Sequence, residues 1–467
     1  MMHPQHRFTL PALIVLSLSG CAANAAEVTK PNIIYVMLDD AGYGDFAALG
    51  SKYVKTPAFD RLCAEGIKFT NHYSGSAVCA PTRCVLMTGK HTGHCRRRDN
   101  TAKALVKELS ASNGRPLVFL EDEDVTVAEV MKAAGYFTAG VGKWGLGNPG
   151  STGVPENQGF DYWYGYLDQV HAHDHFPAEI WDGGKMVALP ENEGNKQTTY
   201  IPYKQEEKAM ELIREHRDGP FFLYLAVTPP HGKYIIPTDD PAYAMYDRIP
   251  GGETVRHYAA MITRADQTVG KIVDLLGELG IDDNTIVFYT SDNGPNPPFA
   301  KAIGSSGGLR GVKRQLYEGG IRAAMAVRWP GEISAGLTSD FIWDMRDVFP
   351  TLCELAGTVP PDGLDGLSVV PTLLGQVQTK RRSMHYWEIH SPFQQAVRFG
   401  KWKAIRFGTK DPLELYNLDH DVAEQHDVST ENPAIVKKLE SFLSSSRSES
   451  KYFPAVEHRI VKGAKKK

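Results

Sequence analysis

Asn32-Ile33-Ile34-Tyr35-Val36-Met37-Leu38 runs without polar alternation into Asp39-Asp40. A strand with one wet face alternates apolar and polar residues, whereas a strand covered on both faces does not. This run is therefore read as a buried strand of a parallel sheet. Residues 137–141, 221–227 and 285–290 read the same way. Residues 126–134, 205–217 and 257–279 repeat apolar positions at three- and four-residue spacing, as amphipathic helices do. Strands alternating with helices predict an α/β sandwich with a large, mainly parallel central sheet. Each strand is followed by reactive side chains: Asp39-Asp40 after the first, Lys143 after the second, His231 after the third, Asp292-Asn293 after the fourth. Ligands of open α/β sheets bind at the carboxyl ends of strands, so these residues are expected to share one site.

Asp39, Asp40, Asp292 and the amide of Asn293 make a hard, all-oxygen donor set. Such a set selects Ca²⁺, with Mg²⁺ as the alternative, over zinc, which takes nitrogen and sulfur. The whole chain carries 51 Lys and Arg against 55 Asp and Glu, a net charge of −4. Its one basic run, Lys465-Lys466-Lys467, reads as a solvated tail over 461–467, so nucleic acid is not an expected partner.

The N-terminus carries Arg7 before an apolar stretch at 10–18, too short to span a bilayer as a helix. Residues 1–20 are read as a signal peptide. The stretch ends in Leu18-Ser19-Gly20-Cys21, which looks like a bacterial lipobox and would place a lipid on Cys21. Small residues at Ala23-Asn24-Ala25-Ala26 offer ordinary cleavage instead. The expectation is an exported protein, periplasmic or on the outer membrane as a lipoprotein, or alternatively secreted. Of the other cysteines, Cys63 and Cys353 lie in apolar helical patterns and are expected in the core. Cys84 and Cys95 flank the segment described next.

Cys79-Ala80-Pro81-Thr82-Arg83 is followed at a fixed distance by Thr88-Gly89. This resembles the formylglycine signature of the sulfatase family, within the alkaline phosphatase superfamily. The resemblance implies that a maturation enzyme oxidises Cys79 to formylglycine, whose hydrate supplies the nucleophile. A serine would leave a stable sulfate ester, whereas the hemiacetal sulfate formed by a diol collapses and expels sulfate. Arg83 falls about one helical turn after Cys79, so both can face one site. Pro81 suits a helix start, and a helix N-terminus favours an anion.

The resemblance assigns further roles. Asp39, Asp40, Asp292 and Asn293 match the family's metal ligands, with the group at Cys79 also reaching the ion. Lys143, in Gly142-Lys143-Trp144-Gly145, and Lys313, in Leu309-Arg310-Gly311-Val312-Lys313, resemble sulfate-binding lysines. Leu316-Tyr317-Glu318-Gly319-Gly320-Ile321-Arg322 downstream frames the second. His231 resembles the histidine that protonates the leaving oxygen. Many sulfatases carry Lys-Trp-His where this chain has Lys143-Trp144-Gly145, and that histidine is the base for sulfate release. His171-Ala172-His173-Asp174-His175 is the nearest rich supply. If that segment is extended, its three histidines share one face with His173 central, which makes His173 the expected base.

Beyond Gly375 the pattern changes. Residues 383–389, 395–399, 402–406 and 413–417 suggest a small antiparallel sheet, and 434–443 a helix. The expected organisation is an alkaline-phosphatase-like catalytic domain at 28–375 and a C-terminal α+β subdomain at 376–460. The expected activity is sulfuric ester hydrolysis on a sulfated carbohydrate, with aryl sulfates cleaved in vitro. The alternatives are a phosphonate or phosphate ester hydrolase of the same superfamily and an inactive glycan-binding lipoprotein. Tyr162, Trp163, Tyr164 and Tyr166 read either as a sugar platform or as core.

Overall fold

The structure, a computed structural model, describes Met1, residues 30–102 and residues 117–459. The signal-peptide, lipobox and basic-tail readings fall outside these residues, apart from Met1. A ten-stranded sheet forms the centre. In spatial order its strands are Leu337–Ser339, Ile67–Phe69, Met325–Arg328, Thr285–Ser291, Asn32–Leu38, Phe221–Ala226, Phe137–Lys143, Tyr162–Tyr166, Glu179–Asp182 and Lys185–Ala188. The strands from Thr285–Ser291 across to Tyr162–Tyr166 are parallel to one another. The sheet is thus mixed and mainly parallel, as expected.

The missing alternation in Asn32–Leu38 has a direct structural cause. Ile34, Val36 and Leu38 enter one hydrophobic core, while Ile33, Tyr35 and Met37 enter the other. The first core lies under the long helix Glu253–Glu278, which contributes Met261, Ile262 and Val269. The second lies under the helices Cys79–Thr88, Val127–Ala133 and Val348–Leu355, through Val85, Met131 and Leu352. Thr126 begins its helix as read from the sequence: its hydroxyl accepts from the Glu129 N–H, and the Glu129 carboxylate accepts from the Thr126 N–H. The helices expected at 205–217 and 257–279 begin earlier, at Ile201 and Glu253. The short outer strands carry too few residues to show a period and were not legible.

Register places the chemistry. Leu38 pairs with Ser291, so Asp39 and Asp292 emerge side by side. Lys143, the last residue of its strand, pairs with Tyr166. A four-stranded antiparallel sheet follows, Met384–His390, Phe393–Phe399, Trp402–Arg406 and Glu414–Asn417, with the helix Pro433–Ser445 against it. Trp163 and Tyr166 are fully buried, so the aromatic run packs the core rather than offering a sugar platform. Cys353 is buried as expected, and Cys63 is half-buried.

Candidate active site

The strand ends bring Asp39, Asp40, Lys143, His231, Asp292 and Asn293 together, and a helix start and a loop add Cys79 and Lys313. Cys79 opens the helix Cys79–Thr88, every residue of which is buried. One donor atom from each of Asp39, Cys79 and Asp292 lies within 4.8 Å of the others, all three buried. Asp40 holds a left-handed backbone at φ 68°, unusual for a residue with a side chain. Its N–H donates to Asp292 Oδ1 at 3.0 Å. Its carboxylate accepts from Asn293 Nδ2 at 2.7 Å, Asn296 Nδ2 at 2.8 Å and Lys313 Nζ at 2.6 Å.

Arg83 reaches back along its helix to tie the strand ends together. It donates to the Lys143 carbonyl at 2.5 Å, to Asp39 Oδ2 at 3.2 Å and to Asp292 Oδ2 at 3.5 Å. Lys143 donates to Asp39 Oδ2 at 2.5 Å. His231 stands between the lysines, with Nδ1 3.4 Å from Lys143 Nζ and Nε2 3.2 Å from Lys313 Nζ. Asp39 Oδ1 faces His231 Nδ1 at 3.2 Å without the alignment of a hydrogen bond.

The charges are strongly coupled. Burial would raise the Asp39 carboxyl, but Lys143, His231 and Arg83 outweigh it and hold the group well below the usual carboxylate range. Asp292 goes the other way: burial and the neighbouring Asp39 push it well up, with Arg83 only partly offsetting them. Burial lowers His231 despite Asp40 beside it. Burial would also lower Lys313, yet Asp40 and Cys79 hold its ammonium above the ordinary range.

The residues fit a hard cation. The Asn293 amide nitrogen is spent on Asp40, which leaves its Oδ1 buried without a partner among the described residues. Asp39 Oδ1 is also free of a hydrogen bond, and Asp292 is a buried carboxylate crowded by another. Convergent oxygens short of donors are what Ca²⁺ or Mg²⁺ would satisfy.

The histidine segment departs from expectation. It is not extended: His171–His173 is a single 3-10 turn. The Asp168 carboxylate accepts the Val170 and His171 N–H groups at 2.6 and 3.0 Å and curls the chain there. The three histidines therefore do not share a face. His171 packs edge-on against Tyr166, and His175 is buried with Nε2 3.0 Å from the His231 carbonyl. His173 alone meets the site, its ring centroid 4.5 Å from that of His231. Burial, with His231 and Lys143 nearby, lowers it to about 3.

Cys79, Asn100, Gln169, His173, His231 and Lys313 all line one pocket. Gln169 and Asn100 were not anticipated. The Cys79 thiol donates to Gln169 Oε1 at 3.0 Å, and Asn100 Nδ2 donates to Cys79 Sγ at 3.4 Å. Neither belongs to a motif, and both arrive from loops whose course depends on tertiary pairing.

A buried cysteine at a helix start, two lysines, an arginine and a cluster of buried carboxylates around one pocket suit the handling of a small tetrahedral anion. Comparison with known proteins agrees. Residues 31–358 match the family described as Sulfatase, and 311–449 match N-sulphoglucosamine sulphohydrolase, C-terminal. Human arylsulfatase A is 33% identical over 424 residues, covering 85% of this chain and 78% of that protein. The N-acetylgalactosamine-6-O-sulfatase of Bacteroides thetaiotaomicron is 29% identical, covering 94% and 98%. The solved structure of Ps i-CgsB superposes with a TM-score of 0.76 at 27% identity, covering 91% of this chain and 95% of that one. Ps i-CgsB is also solved in complex with k-i-k-neocarrahexaose. The chain belongs to the sulfatase family and is a sulfuric ester hydrolase.

Proposed function

We propose that this chain removes sulfate from a sulfated carbohydrate, with Cys79 converted to formylglycine by a maturation enzyme. We further propose that Ca²⁺, or Mg²⁺, is held by Asp39, Asp40, Asp292 and Asn293. The observation that carries the reading is the position of Cys79. It opens a buried helix, within reach of Asp39 and Asp292, in the pocket lined by His231 and Lys313. The relatives support a carbohydrate: one is named for N-acetylgalactosamine, and another is solved in complex with k-i-k-neocarrahexaose.

In this reading Asp39, Asp40, Asp292 and Asn293 would hold the ion, which would supply positive charge beside the sulfuryl group. The chain's own residues do the rest. Lys143 and Lys313 flank His231 and offset negative charge that grows on the sulfuryl group. Arg83 holds the helix bearing the nucleophile against Asp39 and Asp292. His231 gives its proton to the departing sugar oxygen, because an alkoxide leaves badly without one. His173, beside it, takes the proton of the remaining diol hydroxyl as sulfate departs.

Two substitutions separate these steps. His231→Ala should cut kcat by about 10²–10³-fold on sugar sulfates and less on aryl sulfates, whose phenols leave unaided. His173→Ala should give a burst of leaving group followed by slow turnover, with sulfated enzyme visible by mass. An effect of His173→Ala confined to KM would make His173 a sugar contact. Mass analysis of the Cys79 peptide tests the reading as a whole: an unmodified thiol in active enzyme would overturn it. A parallel screen against phosphonate esters, with faster turnover there, would reassign the substrate class.

The placement in the cell is proposed on Leu18-Ser19-Gly20-Cys21. Native protein should partition with membranes, since each buried methylene of an acyl chain contributes about 0.8 kcal/mol. Cys21→Ala should release or misprocess it. A mature, lipid-free N-terminus at or after Ala26 would refute the anchor.

A further inference from the structure

We propose that Gln169 is the residue that holds the reacting hydrate at Cys79, in space that the absent side chain of Gly145 leaves free. The inference rests on the formylglycine reading above and concerns a residue that no motif marks.

Register brings the two positions together. Beyond the paired strands, the Trp144 N–H donates to the Tyr166 carbonyl at 2.8 Å and the Gly145 N–H to the Leu167 carbonyl at 3.0 Å. The chain then turns at Asp168, whose carboxylate accepts the next two free N–H groups. Gln169, at this corner, is 7% exposed and lies against Cys79. A Cβ built on Gly145 would fall 1.7 Å from Gln169 Nε2, and Gly145 has φ +81°. A side chain at 145 would therefore displace the Gln169 amide, the movable end of a flexible side chain, from its place against Cys79. The glycine and the glutamine form one arrangement.

The amide is poised rather than spent. Oε1 accepts from the Cys79 thiol at 3.0 Å, and Nε2 is buried without a partner among the described residues. A buried N–H left unpaired is costly, and a glutamine serving only as packing would be better replaced by leucine. A second oxygen at the Cys79 position would complete it. In the thiol form, Sγ stands where the oxygens of the hydrate would lie. When water adds across the aldehyde, one hydroxyl of the diol donates to Oε1 and the second oxygen accepts from Nε2. An amide is no base near neutral pH, so Gln169 holds the diol and favours it over aldehyde plus water, and proton transfer falls to another group.

The test compares Gln169→Leu and Gln169→Glu with wild type. Mass analysis first establishes formylglycine at Cys79 in all three; its absence from active wild type sinks the underlying reading and not this assignment alone. Leucine relieves a buried unpaired amide, so its melting temperature should hold. On 4-nitrophenyl sulfate and on a sulfated monosaccharide, Gln169→Leu should lower kcat about thirtyfold with KM within threefold. A hydrazide probe, which reacts with free aldehyde, should label it faster than wild type. Gln169→Glu keeps the acceptor and should recover part of kcat and slow the labelling again. A Gln169→Leu enzyme with kcat within threefold of wild type, an effect on KM alone, or unchanged labelling would overturn the proposal.

Discussion

Cys79→Ala should lower turnover by at least about 10⁴-fold on every sulfate ester, aryl or sugar, while the protein still folds. The reason for the first half is that the described polar groups around Cys79 have other tasks in this reading: Lys143 and Lys313 are ion-paired ammonium groups, Asn100 and Gln169 are amides, and His231 and His173 move protons. The reason for the second half is local. Cys79 is 1% exposed, but its sulfur makes only weak contacts, with Gln169 and Asn100. Deleting one buried sulfur costs about 1–2 kcal/mol, a shift of a few degrees in melting temperature for a chain of this size. Cys79→Ser should be equally inactive wherever the host's maturation system oxidises only cysteine. Turnover above trace from Cys79→Ala with a normal melting curve would remove the nucleophile and the mechanism built on it.

The strand ends were legible because their signal is local. After Asn32 the strand to Leu38 shows no polar alternation, and Asp39-Asp40 follows it directly, so burial and site position could both be read from nine consecutive residues. The same holds for Asp292 and Asn293 after Thr285–Ser291. The Cys79 helix was legible from its motif. The histidine turn was misread because extension at 171–175 was assumed. The Asp168 carboxylate, by accepting two backbone N–H groups, makes a turn cheaper than a strand there. Gln169 was invisible for a different reason. Its partner Gly145 is 24 positions away, and only the parallel pairing of Lys143 with Tyr166, continued through Gly145 and Leu167, places them in contact. An empty side chain on one loop and an amide on another leave no pattern in either segment alone.

Removing the cation should abolish activity, and Ca²⁺ or Mg²⁺ should restore it. The metal-free site stores the reason. Asp39 and Asp292 are buried side by side, and the repulsion between them is what, with burial, drives the Asp292 carboxyl upward. Arg83 is shared between them at 3.2 and 3.5 Å and is too distant from Asp292 to neutralise it fully. A dication among these oxygens would offset the repulsion and satisfy Asn293 Oδ1, which has no partner among the described residues. At a hundredfold excess over Kd, binding should add about 2.7 kcal/mol of stability, so melting temperature should rise with added ion. Asp292→Asn gives the sharper test because stability and function move apart. It keeps the shape and removes one of the two crowded charges. The metal-free variant should be as stable as metal-free wild type or more so, yet it should lose the melting-temperature response to Ca²⁺ and nearly all turnover. If Asp292→Asn destabilises the metal-free protein by several kcal/mol and still responds to the ion, Asp292 is a structural partner of Arg83 and not a ligand. Restoration of chelated enzyme by zinc alone would exclude the all-oxygen site itself.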